Sequence, residues 1–306
     1  MRHDPEQIRH WLEEGAVLMP EFFSQAEIAP VRADFDRLFG REANGAEAKV
    51  ADAQFGTLGG FSAEQFAGIE DFPLMASAEA NLIGLHPSLI AFAKDALESD
   101  DVRLYQCQNW AKFTGDADYE QPFHCDYNNH TLTVPASDHA MRTVNFVIYF
   151  TDVTDDLGAI HYVPQSISDP LTGVDRASFI ADRPGLQNAL KGVEQSGAGV
   201  AGSVFAYGID VYHRGTNLTR PGGHRYTMTA SYKAAGNDMI GFTAWPQSFL
   251  KPWAIVFANA SPEQLACLGV PRPGDAFWTE QTLRRAQERW PGWDMSAYRD
   301  ALGTSA

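Results

Sequence analysis

From Val102 onward the chain breaks into short runs rich in β-branched and aromatic residues, "VRLYQCQNWAKF", "TVNFVIYFTDV", "AIHYVP", "SVFAYGIDVYH" and "RYTMTASYKA", each bounded by turn-forming residues. Runs of this length and composition form strands. On either side the texture is helical. Ser24 to Glu27 forms a capping box ahead of "AEIAPVRADFDRLFG", with Gly40 as its stop, and Pro87 opens "PSLIAFAKDALESD". A second box, "SPEQ", starts at Ser261, followed by "EQTLRRAQERW" and "DMSAYRDAL". Helix first, strands in the middle and helix last point to a β-rich α+β protein, a sandwich or jelly roll with helices packed around it, and away from a wound parallel sheet.

Length does not by itself choose between one large domain and two ordinary ones. No internal repeat is visible, and no Gly-rich phosphate loop follows a strand. Residues from about 165 to 200, including "DRPGLQNALKGVEQSGAG", are expected to be a long insertion between strands, either a cover over a site or a plain surface loop.

The net charge of −16 argues against nucleic acid as the main partner, because such binding depends on neutralising phosphates with Lys and Arg. A small anion in a local basic pocket stays compatible with it. The start, "MRHDPEQIRHWLEEG", lacks the apolar segment of a signal peptide, and no run reaches about 18 apolar residues, so a soluble cytoplasmic protein without membrane contact is expected. Cys107, Cys125 and Cys267 are odd in number and widely spaced, as expected of reduced thiols. Cys125 stands apart because it lies between two candidate metal ligands, where it is open to oxidation.

Those ligands are His124 and Asp126 in "QPFHCDYNNH". On an extended chain, residues two apart point to the same face. The pair alone is weak, since nine histidines in so acidic a chain yield about one His-x-acid by chance. It gains weight from His213, in "DVYHRGTN" at the end of a later strand-like segment. A His-x-Asp and a distant His are the sequence form of the facial triad, which leaves open positions on Fe(II) where a structural zinc site would be closed. Twelve residues past His213 comes Arg225, with Thr227 on the same strand face. A guanidinium with a neighbouring hydroxyl suits a carboxylate. Alternation places Arg225, Thr227, Thr229 and Ser231 on one side and Tyr226, Met228, Ala230 and Tyr232 on the other, a polar stripe fit to line a barrel interior.

Five ordered blocks resemble the phytanoyl-CoA dioxygenase family of Fe(II)- and 2-oxoglutarate-dependent oxygenases: "LYQCQNWAKF", "PFHCDY", "FTDVTDDLGAIHYVPQS", "YHRGTNLT" and the Arg225 strand. The resemblance covers roughly residues 100 to 235 in detail. It implies a double-stranded β-helix (cupin-like jelly roll) within a single domain over 1–306: a helical flank 1–100, a core 101–237 and a C-terminal helical extension 238–306. It also implies iron held by His124, Asp126 and His213, and the far carboxylate of 2-oxoglutarate anchored by Arg225 with Thr227. Lys112 matches the family's Lys position and is expected to help bind the cosubstrate, while Gln106, Gln108 and Asn145 are candidates for its keto-acid end or for the substrate.

Three positions depart from the family pattern. "PQSI" lacks the usual Gly and His, Cys125 stands where Gln is frequent, and Gly215 where some relatives carry Ser, which shifts carboxylate binding onto Arg225 and Thr227. Asp126 is retained, which speaks against a halogenase.

The implied reaction consumes O2 and 2-oxoglutarate, releases succinate and CO2, and oxidises an unactivated C–H bond of a small organic metabolite, by hydroxylation or an alternative outcome. Family substrates include fatty acyl-CoA, amino-acid derivatives and natural-product intermediates. Two alternatives stand beside it: a cupin-like isomerase or hydrolase that does not use 2-oxoglutarate, and a catalytically silent small-molecule binding protein. Trp245, Phe249 and Trp253 are candidates for an apolar pocket wall, or for core packing. His130 is expected to be an exposed loop histidine, with a substrate acid/base or supporting role as the alternative.

Overall fold

The computed structural model describes residues 2–40, 69–116, 120–133, 138–172, 180–181, 183–242 and 251–303. Its strands are β1 (Ala16–Met19), β2 (Ile69–Asp71), β3 (Val102–Phe113), β4 (Thr143–Tyr149), β5 (His161–Val163), β6 (Gln195–Ser196), β7 (Val204–Tyr207), β8 (Tyr212–Arg214) and β9 (His224–Ala234). They pair antiparallel into a large sheet of order β1-β7-β4-β9-β3-β2 and a small one of order β6-β5-β8. After β4 the chain crosses to β5 and β6, returns as β7, crosses again to β8 and returns as β9. This alternation between two antiparallel sheets is a jelly roll, as the strand pattern led one to expect.

The two faces of the large sheet differ in chemistry because side chains alternate along each strand. Facing outward, Cys107 and Ala111 of β3, Phe146 and Ile148 of β4, and Tyr226, Met228, Ala230 and Tyr232 of β9 are buried in one apolar cluster. The helices Gln25–Phe39 and Pro87–Ala96 close this cluster through Ile28, Val31, Phe35, Leu89, Ile90 and Phe92. Phe92 meets Phe146 edge-on at 5.4 Å between ring centres. Truncating a ring so enclosed generally costs about 3–5 kcal/mol. The helix starts follow the sequence signals: Ser24 N–H donates to the Glu27 carboxylate at 2.9 Å, Ser261 N–H to Gln264 Oε1 at 2.9 Å, and Pro87 occupies the first turn of its helix.

Three expectations change. The N-terminal flank is not purely helical, since β1 and β2 form the two edges of the large sheet. Strands of four and three residues carry too few periods to be read locally, and their partners β7 and β3 lie far away in sequence. "SVFAYGIDVYH" is two strands in different sheets, broken at Gly208 to Val211. The 165–200 segment is not a plain loop: it carries the helices Gln165–Thr172 and Pro184–Lys191. From the second of these, Gln187 accepts from Phe123 N–H at 2.8 Å and donates to Phe123 C=O at 2.9 Å, so the insertion clamps the backbone beside His124.

Candidate metal centre

The lumen between the sheets is lined by the polar face of β9. Register places Arg225 opposite Lys112, Thr227 opposite Trp110, Thr229 opposite Gln108 and Ser231 opposite Gln106. On the other side of β9, Tyr149, Val147 and Asn145 of β4 pair with Thr227, Thr229 and Ser231. Gln106, Gln108, Trp110 and Lys112 are only half-buried while the intervening Cys107, Asn109 and Ala111 are buried, so the lumen is open and the helix-covered face closed.

At the small-sheet wall, His124 and His213 exchange backbone hydrogen bonds of 3.0 Å in both directions, an isolated bridge that sets their rings 4.4 Å apart. The side chain of His124 lies 2.9 Å by Nδ1 from Pro122 C=O, and that of His213 2.9 Å by Nδ1 from Val211 C=O. A carbonyl only accepts, so both Nδ1 atoms carry a proton, and each Nε2 is the nitrogen left to bind a metal when it is unprotonated. Both Nε2 atoms face Asp126, whose Oδ1 lies 3.7 Å from His124 Nε2 and 3.5 Å from His213 Nε2. Donors about 2.1 Å from a common ion stand roughly 3–3.5 Å apart, so a small inward shift suffices to bind one. All three donor atoms lie within 4.8 Å of one another, and no fourth His, Cys, Asp or Glu joins them among the described residues. The set fits a divalent ion with several positions left open.

The His-x-Asp pair does not work as two positions on one extended strand. Asp126 has φ −71° and ψ −18° and begins the short helical turn Tyr127–His130, which swings its carboxylate back toward the bridge. Burial opposes ionisation of Asp126, but the charge and hydrogen bonding of His213, with His130 and His124 adding to it, hold the carboxyl well below the usual range. Burial, followed by the charge of His213, holds His124 down to about 4, leaving it a neutral donor above that pH. For His213, burial is outweighed by Asp126 and the pKa is raised.

Along the lumen stands Arg225. Its Nε is enclosed with no partner, and no carboxylate pairs with its guanidinium among the described residues. Burial depresses it to about 10. Lys112, directly across the ladder, is pushed down to about 7 by burial and then by Arg225, and its ammonium sits 5.4 Å above the Trp110 ring. Gly158, with φ +75°, brings its loop against Arg225: a Cβ there would fall 3.2 Å from Arg225 Nη1 and 2.8 Å from Thr216 C=O. Two neighbouring cations that meet no carboxylate among the described residues are suited to seat an anion.

One group at the centre escaped sequence reasoning, and a second was expected to be exposed. Tyr207 donates from its hydroxyl to Asp126 Oδ2 at 2.8 Å, leaving Oδ1 for the imidazoles. Nothing in "SVFAY" marks it, because strand alternation cannot say which lumen residue meets a carboxylate. Tyr207→Phe is expected to lower metal affinity about 10–100-fold, the usual effect of losing a ligand's supporting hydrogen bond, as checked by metal titration. The second is His130, which is no exposed loop residue: it is half-buried, with Nδ1 2.8 Å from the hydroxyl of the fully buried Tyr105.

The remaining candidates divide. Asn145 and Gln108 line the lumen, Asn145 accepting from Tyr105 at 3.1 Å and Gln108 accepting from Gln106 at 3.0 Å. Cys125 is buried in the apolar cluster with Phe123, Tyr127 and Ile209. Trp253 packs in the outer core, 5.4 Å from Phe72, and is not a lumen wall; Trp245 and Phe249 lie outside the described residues.

An open three-donor metal site in a jelly roll, with an anion seat along the same lumen, defines a class of metalloprotein in which metal and anionic ligand share one cavity. The chain belongs to the phytanoyl-CoA dioxygenase family, whose family model matches residues 11–219. No curated protein sequence matches it. Among solved structures it is similar to the non-heme alpha ketoglutarate dependent epimerase SnoN from nogalamycin biosynthesis, with 17% identity over 75% of this chain and 82% of that one and a TM-score of 0.53. It is likewise similar to the non-heme alpha ketoglutarate dependent carbocyclase SnoK from the same biosynthesis, with 18% identity, 76% and 85% coverage and a TM-score of 0.53. AviO1 from Streptomyces viridochromogenes Tue57 matches with 15% identity, 80% and 99% coverage and a TM-score of 0.54. At these identities the likeness speaks for the fold. No helix among the described residues is long and apolar enough to cross a membrane.

Proposed function

We propose that this protein is an Fe(II)- and 2-oxoglutarate-dependent oxygenase, a single catalytic domain over residues 1–306 that oxidises a C–H bond of a small organic metabolite. The observation that carries this is the pairing, in one lumen, of the open His124–Asp126–His213 set with Arg225 and Lys112, which meet no carboxylate among the described residues. When bound, iron and 2-oxoglutarate supply the oxygen activation, with one oxygen atom entering succinate as CO2 leaves and the other available to the substrate. Arg225 and Lys112 bind the distal carboxylate, and Thr227, one step along β9 on the same face, adds a hydroxyl. Asn145 and Gln108 lie on rows beyond Thr227, which suits them to the keto-acid end or the substrate. Tyr207 keeps Asp126 oriented.

The test is anaerobic addition of Fe(II) and 2-oxoglutarate, expected to produce a weak metal-to-ligand absorption in the visible. Its absence in fully reconstituted protein would favour a cupin-like metalloenzyme without 2-oxoglutarate, or a silent binding protein. The likeness to an epimerase and a carbocyclase widens the range of outcomes. Which substrate carbon the lumen presents decides between hydroxylation, epimerisation and ring closure.

A pH dependence follows from Lys112. Held near 7 in the free protein, it is protonated below that pH and loses its charge above it, and an anion favours the charged form. Affinity for 2-oxoglutarate is therefore expected to fall as pH rises through and above about 7, with Lys112→Met flattening the profile, as read by calorimetric titration.

A further inference from the structure

His130 leaves the Asp126 turn and is fixed from both sides. Its backbone C=O accepts from Gly241 N–H at 3.4 Å, and the next residue, Thr131, bridges to Ile240. Its Nδ1 lies 2.8 Å from Tyr105 Oη, and Tyr105 in turn donates to Asn145 Oδ1 at 3.1 Å. Tyr105 reaches the lumen because it is the extra residue of a bulge, where the β3–β9 register slips between Leu104 and Gln106. A phenol has one proton. Given to Asn145, it leaves the Tyr105 oxygen to accept from His130 Nδ1–H. The His130 Nε2 is then a lone-pair acceptor, and it has no hydrogen-bond partner among the described residues.

The wall beside it is equally polar. Ser231 Oγ donates to Gln106 Oε1 at 3.4 Å, Gln106 Nε2 to Gln108 Oε1 at 3.0 Å, and Gln108 Nε2 to Asp71 Oδ1 at 3.3 Å. Each amide in this ladder uses one N–H and keeps a second to offer. Ser231 pairs with Asn145, and Asn145 with Tyr207, whose hydroxyl holds Asp126. The ladder thus continues the row of side chains that ends at the metal centre, at about 5 Å per strand.

We propose that the substrate is a polyhydroxylated small molecule rather than an acyl chain, with the hydroxyl beside the reacting carbon donating to His130 Nε2 and its further hydroxyls meeting the Gln106–Gln108 ladder. This rests on the oxygenase reading of the same site. His130 and the two glutamines are specificity-determining residues. An apolar chain laid along this wall leaves their donors and acceptors unsatisfied, and a site built to hydrogen-bond a hydroxyl rejects the analogue lacking it.

Two measurements test it. In the zinc-substituted, 2-oxoglutarate-loaded protein, long-range 1H–15N spectra of the histidines should show His130 protonated on Nδ1 and bare on Nε2; the opposite tautomer overturns the proposal whatever the substrate. Substrate-stimulated succinate release is then screened with a panel of cyclitols and monosaccharides against a panel of fatty acids and acyl-CoA thioesters. Stimulation by polyols, with His130→Phe raising KM at least tenfold and His130→Gln largely restoring it, supports the assignment. Stimulation by acyl compounds alone, or a KM unmoved in His130→Phe, overturns it. If neither panel stimulates release, the tautomer decides. The visible absorption with Fe(II) and 2-oxoglutarate should persist in both His130 variants; its absence from the wild-type protein marks failure of the oxygenase reading itself.

Discussion

Asp126→Ala is expected to abolish turnover and to weaken metal binding by well over about 100-fold, the upper range seen when only a supporting partner of a ligand is lost. Asp126 supplies the only negative charge of the donor set, and both imidazole Nε2 atoms are aimed at its Oδ1. Its removal leaves two neutral donors for a dication and strands the buried Tyr207 hydroxyl, which generally costs about 1–3 kcal/mol. The measurement needs no substrate. A ligand at about 100 times its Kd stabilises the folded state by about 2.7 kcal/mol, so added metal should raise the melting temperature of the wild type and leave that of Asp126→Ala unmoved. An equal metal-induced shift in both would remove Asp126 from the site.

The second large effect has two signs. Arg225→Gln should weaken 2-oxoglutarate binding on the order of 100-fold, since truncating a buried, hydrogen-bonded charge partner costs about 2–5 kcal/mol. The same substitution should leave the free protein no less stable, and up to about 1 kcal/mol more stable, as when a strained functional group is relieved. The reason is that Arg225 lies enclosed beside Lys112 with no carboxylate to offset it among the described residues. Lys112 should respond as well: without the neighbouring guanidinium, its pKa should rise above about 7. Calorimetric titration and thermal unfolding read the two signs separately, and an unchanged affinity would exclude Arg225 as the anchor.

The chain by itself determined the strand-rich middle and helical flanks, because alternation and capping are local signals that survive without a partner. It also determined the polar stripe Arg225, Thr227, Thr229 and Ser231, which the register places on one lumen face, and singled out His124, Asp126 and His213, which the fold gathers. Only the tertiary structure decided how they meet: His124 and His213 through a two-bond bridge, and Asp126 through a turn and not along a strand. The edge strands β1 and β2, the Tyr207 support and the Tyr105–His130 pair were likewise settled by packing. Each depends on contacts between residues far apart in sequence, and the bulge that turns Tyr105 inward is visible only once β3 has β9 beside it.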